Sequence, residues 1–133
     1  MEQTARALNA LTDRIIGAAI HVHRALGPGL LESAYEACLH RELVGRGMRV
    51  ERQKPLPLRY EDISLDCVYR MDMVVEDAVI VEIKAVTKLD RVHEAQLLSY
   101  LKMSQKCVGL LINFNVTVLA ESGIKRRVNG FPR

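Results

Sequence analysis

The sequence has few of the features that mark small exported or membrane proteins. It contains only three cysteines, Cys38, Cys67 and Cys107, and no CxxC pair, so neither a disulfide framework nor a structural zinc site is supported. No apolar run reaches the roughly 20 residues of a membrane span. The first eleven residues include Glu2 and Arg6 and lack the apolar stretch of a signal peptide. We therefore expect a cytoplasmic protein whose thiols are buried and reduced.

Aromatic residues are also scarce, and the charges nearly balance. The 133 residues include no Trp, two Phe and four Tyr, which disfavours a stacking platform for single-stranded nucleic acid. The 19 basic and 16 acidic residues give a net charge of +3, which permits a polyanionic partner without requiring one. With 49% hydrophobic and 26% charged residues, the composition is that of a globular protein, and its length predicts a single domain over residues 1–133.

The hydrophobic pattern predicts an α/β domain in which helices flank a mixed sheet. Apolar residues at three- and four-residue spacing predict helices over residues 12–26, 31–46 and 90–103. Thr12 is a plausible cap for the first helix, although a start near Thr4 is also open. Strand patterns cover residues 48–60, with an edge position or bulge near Pro55 and Pro57, and residues 63–75, 79–86 and 107–114. Residues 116–119 and 123–128 are expected to form a last hairpin.

The third predicted strand carries charged side chains where a buried sheet favours apolar ones. Because side chains alternate along a strand, Glu82 and Lys84 share one face. If residues 76–78 form a three-residue loop, the hairpin pairs residues whose numbers sum to 154. Asp72 then lies opposite Glu82, with the two Cβ atoms about 5 Å apart. A two-residue loop would instead pair Met71 with Glu82 and turn Asp72 away, so the register decides whether the carboxylates meet.

Two carboxylates at that spacing repel each other unless a cation lies between them. Mg²⁺ or Mn²⁺ accepts oxygen ligands and keeps several waters, which suits Asp72, Glu82 and a strand carbonyl. The ammonium group of Lys84 would point to the same place, and a divalent metal beside a lysine is suited to phosphodiester hydrolysis. The alternative interpretation is a cross-strand salt bridge among the three side chains.

Two predicted helices offer further polar side chains to this site. His93, Gln96 and Tyr100 form one stripe of the helix after the third strand, from which an amide and a hydroxyl could contact a phosphate. A solvated helix surface is the alternative, and it is favoured for His93. Glu32 stands in the first turn of the second helix, where it either complements the helix dipole or supplies a third carboxylate to the metal.

Residues 29–35, with the sequence Gly-Leu-Leu-Glu-Ser-Ala-Tyr, match the pattern that names the GxxExxY family. The segments 26–29, 53–57 and 110–115 are similar to that family too, so the resemblance extends over roughly residues 15–128. The family is placed in the PD-(D/E)XK nuclease-like superfamily. This resemblance implies a single restriction-endonuclease-like domain with the core order αβββαβ, to which the predicted order adds one helix in front.

The resemblance also implies roles for particular positions. Asp72 resembles the motif Asp of the superfamily, and the sequence Glu82-Ile83-Lys84 resembles its (D/E)XK triplet. Glu32 is similar to the first-helix Glu of many superfamily members. Residues 96–100, which begin with Gln and end with Tyr, resemble the QxxxY motif of RecB-type members. The Pro that precedes the motif Asp is absent, since Met71 stands there, but that position carries no chemistry.

By this resemblance the chain is a Mg²⁺- or Mn²⁺-dependent nuclease that hydrolyses nucleic acid, with DNA as the expected substrate, to 5′-phosphate and 3′-hydroxyl ends. Asp72, Glu82 and the Ile83 carbonyl would hold the metal, and Glu32 would join them. Lys84 would orient the attacking water, while Gln96 and Tyr100 would position the scissile strand. The alternative is a nucleic-acid-binding, regulatory or structural module that retains the fold. A 15.0 kDa domain offers little surface for a duplex, so a homodimer or a protein partner is also expected.

Overall fold

The computed structural model describes residues 4–133, apart from the side chain of Cys67. Within that range the helices are α1 (Ala5–Leu26), α2 (Glu32–Gly45), α3 (Arg91–Ser104) and α4 (Leu119–Ser122). The strands are β1 (Val50–Tyr60), β2 (Ile63–Val75), β3 (Val79–Lys84), β4 (Val108–Asn113) and β5 (Ile124–Val128). No helix in these described residues is long and apolar enough to cross a membrane.

The described strands form one mixed sheet in the order β1-β2-β3-β4-β5. β3 and β4 run parallel, with α3 as the crossover between them, and the other neighbouring pairs are antiparallel. From α2 to β4 the elements follow the order αβββαβ, and α1 precedes them. The predicted fold class, a single α/β domain with a mixed sheet between helices, is therefore confirmed.

Two apolar layers cover the two faces of the sheet. Val79, Val81 and Ile83 of β3 pack in the layer that contains α1 and α2, whereas Ile80 packs in the layer that contains α3. This alternation is expected for a strand that is buried on both faces. It also assigns Glu82, two residues after Ile80, to the side of α3.

The register of the β2–β3 hairpin agrees with the sequence prediction. Met73 pairs with Val81 and Val75 pairs with Val79, so the numbers of paired residues sum to 154. Residues 76–78 form the turn. In β1 the predicted irregularity is also present, because the register with β2 shifts between Leu56 and Leu58.

α1 begins at the earlier of the two starts that the sequence left open, near Thr4, whereas the C-terminal end differs from the prediction. The cap of α1 is Thr4, whose hydroxyl oxygen accepts a hydrogen bond from the Ala7 amide at 3.0 Å. Thr12 lies buried inside the helix, where its hydroxyl donates to the Asn9 carbonyl. The predicted last hairpin is wrong: residues 119–122 form α4, and β5 pairs with β4, which covers an edge that a separate hairpin would leave open.

The prediction of buried thiols is wrong for Cys38, which is exposed on α2. The buried face of that helix carries Tyr35, Leu39 and Leu43 at four-residue spacing, and Cys38 lies outside that stripe. Cys107 is half-buried. The side chain of Cys67, whose burial was also predicted, lies outside the described part of the structure. Glu2, one of the two charged residues noted near the start of the sequence, also lies outside it.

Gly123 lies where two segments of backbone approach each other closely. A Cβ atom there would be 2.7 Å from the Asn113 carbonyl oxygen and 2.6 Å from the Leu119 Cδ1 atom. Because backbone cannot easily move aside, we expect Gly123→Ala to lower the free energy of unfolding by about 2 kcal/mol. Gly45→Ala, with open space around the new methyl group in α2, should raise it by about 0.5–1 kcal/mol. Urea unfolding measures both, and a neutral Gly123→Ala would contradict the clash.

Candidate functional site

Asp72 and Glu82 meet where β2 and β3 separate. The backbone pairing of the two strands ends at Met73 and Val81. Beyond it, the Asp72 amide donates to Glu82 Oε2 at 2.7 Å, and the Ile83 amide donates to Asp72 Oδ2 at 2.8 Å. Each carboxylate thus accepts a hydrogen bond from the backbone of the other strand. The two carboxylates come together as the register predicts, through this exchange instead of a direct cross-strand pair.

The regular alternation of side chains between the two faces of the sheet is interrupted in β2 at Asp72. Met71 packs in the layer of α3, whereas Met73 packs in the layer of α1 and α2. On a regular strand, residues two positions apart share a face. Gln53, the residue of β1 at the same level, has a left-handed backbone with φ of +50°. This local twist takes Asp72 out of the regular ladder and lets its carboxylate reach the Ile83 amide.

Burial makes this pair of carboxylates unfavourable to ionise. Glu82 is only 3% exposed, and its burial, together with the charge of Asp72, raises the pKa of Glu82 to about 8. Burial also raises the pKa of Asp72, although the hydrogen bond from the Ile83 amide opposes that change. The Lys84 charge lowers both pKa values, but within the described part of the chain Lys84 has no ion pair within 4.0 Å. A further cation would relieve the remaining repulsion.

α3 brings Tyr100 close to the carboxylates. Burial, followed by the charges of Glu82 and Asp72, raises the pKa of Tyr100 above its ordinary value of 10.0, so its hydroxyl stays protonated at neutral pH. Gln96 lies one turn earlier and is half-buried. His93 serves the start of the helix instead, because its Nδ1 atom accepts a hydrogen bond from the Asp90 amide in a capping box.

Tyr35 fixes the loop between α1 and α2. Its hydroxyl donates to the Gly27 carbonyl at 2.5 Å and accepts from the Leu30 amide at 3.2 Å. Its ring stacks on Phe114, with 4.6 Å between the ring centroids. The loop before α2 is thereby held against the core by a side chain of the same helix.

Gly29 and Glu32 complete this arrangement. Gly29 has φ of +98°, a backbone conformation that glycine adopts without strain. Glu32 is the first residue of α2, and its Oε2 atom accepts a hydrogen bond from the Ala85 amide at 3.4 Å, just beyond Lys84. The turn, the acidic residue and the anchoring tyrosine of the segment 29–35 therefore act together to bring Glu32 to the site.

Two residues to which the sequence analysis assigned no role in the site, Glu36 and Gln53, lie in the same cleft. The cleft has a volume of about 250 Å³ and is lined by Glu32, Ser33, Glu36, Gln53, Asp72 and Ile83. Glu36 follows Glu32 by one helical turn, so the four-residue spacing was a signal that could have found it. Gln53 donates from Nε2 to Glu36 Oε1 at 2.7 Å and lies 3.4 Å from Asp72 Oδ1. No spacing in the sequence links Gln53 to either carboxylate.

Asn113 fixes the chain just beyond Lys84 and was also missed. It is 1% exposed and pairs with Lys84 in the β3–β4 register. Its Nδ2 atom donates to the Val86 carbonyl at 2.9 Å, and its Oδ1 atom accepts from the Val86 amide at 3.0 Å. The Asn113 side chain thus continues the sheet past the end of β3 and fixes Val86, two residues after Lys84.

The donor set of the site fits a hard divalent cation. No group of three or more His, Cys, Asp or Glu residues in the described range is arranged to hold a metal ion. However, Mg²⁺ is usually bound through one or two carboxylates, with waters as the other ligands. Asp72 and Glu82 each use one oxygen for a backbone amide and keep the second for another donor or a cation.

The ionisation of Glu82 should make the metal-free protein less stable as the pH rises. The pKa of Glu82 is about 8 in the folded protein against an ordinary value of 4.5, so between these values the folded state binds more protons than the unfolded state. We expect Glu82 to lower the free energy of unfolding by up to about 1.4 kcal/mol per pH unit in this window. Glu82→Gln should remove that slope. Urea unfolding in EDTA from about pH 5 to 8 measures it, and parallel curves would contradict the assigned cost of burial.

Asn113→Asp should weaken the connection beyond β3. The substitution keeps the size of the side chain but replaces the donating amide with a buried acceptor that faces the Val86 carbonyl. We expect the free energy of unfolding to fall by about 3 kcal/mol at neutral pH and hydrogen exchange of the Val86 amide to accelerate. The exposed Asn129→Asp is the control and should change stability by less than about 0.5 kcal/mol. Unchanged exchange at Val86 would show that Asn113 does not fix this segment.

A comparison with known families identifies the group to which this arrangement belongs. The family model described as the PD-(D/E)XK nuclease superfamily matches residues 9–127. Comparisons with curated proteins and with solved structures give no match. The matched range contains the αβββαβ core and both carboxylates at the junction of β2 and β3. The chain belongs to the PD-(D/E)XK nuclease superfamily.

Proposed function

We propose that this chain is a divalent-metal-dependent nuclease that hydrolyses phosphodiester bonds, with DNA as its substrate. The exchange of hydrogen bonds between Asp72 and Glu82 is the observation that carries this proposal. It holds two carboxylates together although burial and mutual repulsion oppose their ionisation. A cation offsets that repulsion, and nucleic acid is the substrate that membership of a nuclease superfamily implies.

The finer assignment to the GxxExxY family is part of the same proposal. Its support is that Gly29 adopts the positive φ of a tight turn, Glu32 opens α2 beside the site, and Tyr35 anchors the loop between them. The three named positions of the pattern therefore have one shared structural purpose, which is to place Glu32.

Asp72, Glu82 and the backbone carbonyl of Ile83 are the proposed ligands of Mg²⁺ or Mn²⁺. When bound, such a cation supplies positive charge to the attacked phosphate and favours the ionisation of a nearby water. Glu32 lines the same cleft as Asp72 and would reach the cation through a water. Its position at the exposed rim suits that indirect contact better than direct ligation.

Lys84 has the role of stabilising charge on the reacting phosphate. Its ammonium group lowers the pKa of both carboxylates and, among the described residues, is not committed to an ion pair. It can therefore donate hydrogen bonds to a phosphate oxygen and to the attacking water. The water oxygen bonds to phosphorus, the bond to the 3′ oxygen breaks, and that oxygen leaves with a proton. The products are a 5′-phosphate and a 3′-hydroxyl.

Gln96 and Tyr100 are the proposed positioning groups for the scissile strand. The Tyr100 hydroxyl remains protonated at neutral pH, so it can donate a hydrogen bond to a phosphate oxygen. The amide of Gln96 lies one turn away on the same side of α3 and offers a second donor. Because both donors are neutral, they can orient the anionic strand without neutralising the carboxylates that are proposed to bind the cation.

Variants of the three motif residues separate metal binding from chemistry. We expect the native protein to cleave DNA with Mn²⁺ but not with EDTA. Lys84→Ala should slow cleavage about 100-fold or more while it keeps Mn²⁺ binding, measured by calorimetry. Asp72→Asn and Glu82→Gln should lose both cleavage and binding. Lys102→Ala changes an exposed lysine of α3 and should leave the rate within about twofold.

Single-stranded and duplex forms of DNA and RNA are assayed in parallel, so the substrate class is read directly. If the native protein binds no Mn²⁺ either alone or with nucleic acid present, the nuclease proposal is wrong. Nucleic-acid binding that persists in EDTA and in Lys84→Ala would instead indicate a binding module that retains the fold.

A further inference from the structure

Arg52 and Gln53 are neighbours on β1, yet both bind the carboxylate of Glu36. The Arg52 guanidinium donates to Glu36 Oε2 at 3.0 Å and 3.3 Å, and Gln53 Nε2 donates to Glu36 Oε1 at 2.7 Å. Neighbouring side chains on a regular strand point to opposite faces of the sheet. The left-handed backbone of Gln53, with φ of +50°, is what lets both side chains reach one carboxylate. A residue with a Cβ atom rarely adopts this conformation, so the contact is retained against a backbone preference.

The same amide group also faces Asp72. Gln53 Nε2 lies 3.4 Å from Asp72 Oδ1, the oxygen that does not accept from the Ile83 amide. An NH₂ group has two hydrogens and can donate to two carboxylates at once. The charge of Glu36 is felt at Asp72, where it raises the pKa. Gln53 therefore places a neutral donor between two negative groups that repel each other.

We propose that Gln53 is a positioning residue that links Glu36 to Asp72 in the metal-free protein and releases Asp72 when a cation binds. The unequal distances support this order, because the 2.7 Å bond to Glu36 is strong and the 3.4 Å contact with Asp72 is weak. The ion pair between Arg52 and Glu36 holds the other end of the link in place. The proposal rests on the proposed function in one respect, which is that Asp72 is a metal ligand.

Two opposite effects follow when the amide is removed. Without Gln53 the repulsion between Glu36 and Asp72 loses its neutral bridge, so the metal-free protein should be less stable. A cation at Asp72 no longer competes with the amide and also offsets more repulsion, so it should bind about threefold more tightly or better. A residue with only a structural role would not couple these two quantities.

Thermal unfolding of Gln53→Gly, with and without Mn²⁺, measures this coupling. Glycine accepts the left-handed backbone without strain but also increases the entropy of the unfolded chain, so the effect of the lost side chain is read against a control with the same exchange. Gln105→Gly is the matched control, because Gln105 also has a positive φ, of +61°, but lies at the end of α3. In EDTA we expect Gln53→Gly to melt about 3–5 °C below this control. Mn²⁺ should remove most of that difference, and calorimetry should show the tighter binding.

Gln53→Glu is the second variant. It keeps the length of the side chain, loses both donors and adds a third negative charge, so it should show a larger loss in EDTA and a larger gain from Mn²⁺. If the melting temperatures of both variants are unchanged in EDTA, the inference is wrong. It is also wrong if they fall equally with and without Mn²⁺ while the native protein is stabilised by Mn²⁺. If Mn²⁺ does not stabilise the native protein, the proposed function fails first, and this inference fails with it.

Discussion

The candidate site depends on one exchange of hydrogen bonds at the point where β2 leaves β3. The side chains of Asp72 and Glu82 replace the main-chain acceptors that a continued ladder would supply, and they satisfy the amides of Asp72 and Ile83. The same exchange holds two carboxylates close enough for the charge of Asp72 to raise the pKa of Glu82. The left-handed backbone at Gln53 and the anchor at Tyr35 then bring further groups to that junction. The chemistry of the site is thus a consequence of how the hairpin ends.

The fold tolerates this junction because the sheet around it is well buried. β3 and β4 are inaccessible to solvent along almost their whole length, and helices cover both faces. Each large apolar side chain that is fully buried contributes about 1.5–3 kcal/mol. A set of such residues offsets the unfavourable burial of Glu82, which a two-stranded ribbon alone could not do. The unfavourable burial of Glu82 in the site is therefore tolerated because the apolar core around it is stable.

The sequence predicted the parts of the fold that local patterns determine. Alternation along β3 placed Glu82 and Lys84 on one face, and the length of the loop at residues 76–78 set the register that brings Asp72 near Glu82. The position of Glu32 in the first turn of the second helix made it a candidate third carboxylate, and the family resemblance supported that role. Gln53 and Asn113 escaped prediction because their partners lie on other elements. A residue with a left-handed backbone conformation is usually glycine or asparagine, and Gln53 is neither, so its conformation could not be predicted. The exposed position of Cys38 was missed because its apolar neighbours and the usual burial of cysteine favoured an inward position, whereas Tyr35, Leu39 and Leu43 form the buried stripe of α2.

Asn113 finishes β3 with a side chain instead of a further stretch of backbone pairing. Val86 is fixed by the two hydrogen bonds with Asn113, and the segment from Thr87 to Asp90, which leads into α3, begins directly after it. Exchanges at the exposed Thr87 and Lys88 of this segment would reshape the surface beside the site while Val86 stays fixed. Loops beside a fixed scaffold tolerate change, so this surface could diverge while the carboxylates and Lys84 of the candidate site stay in place.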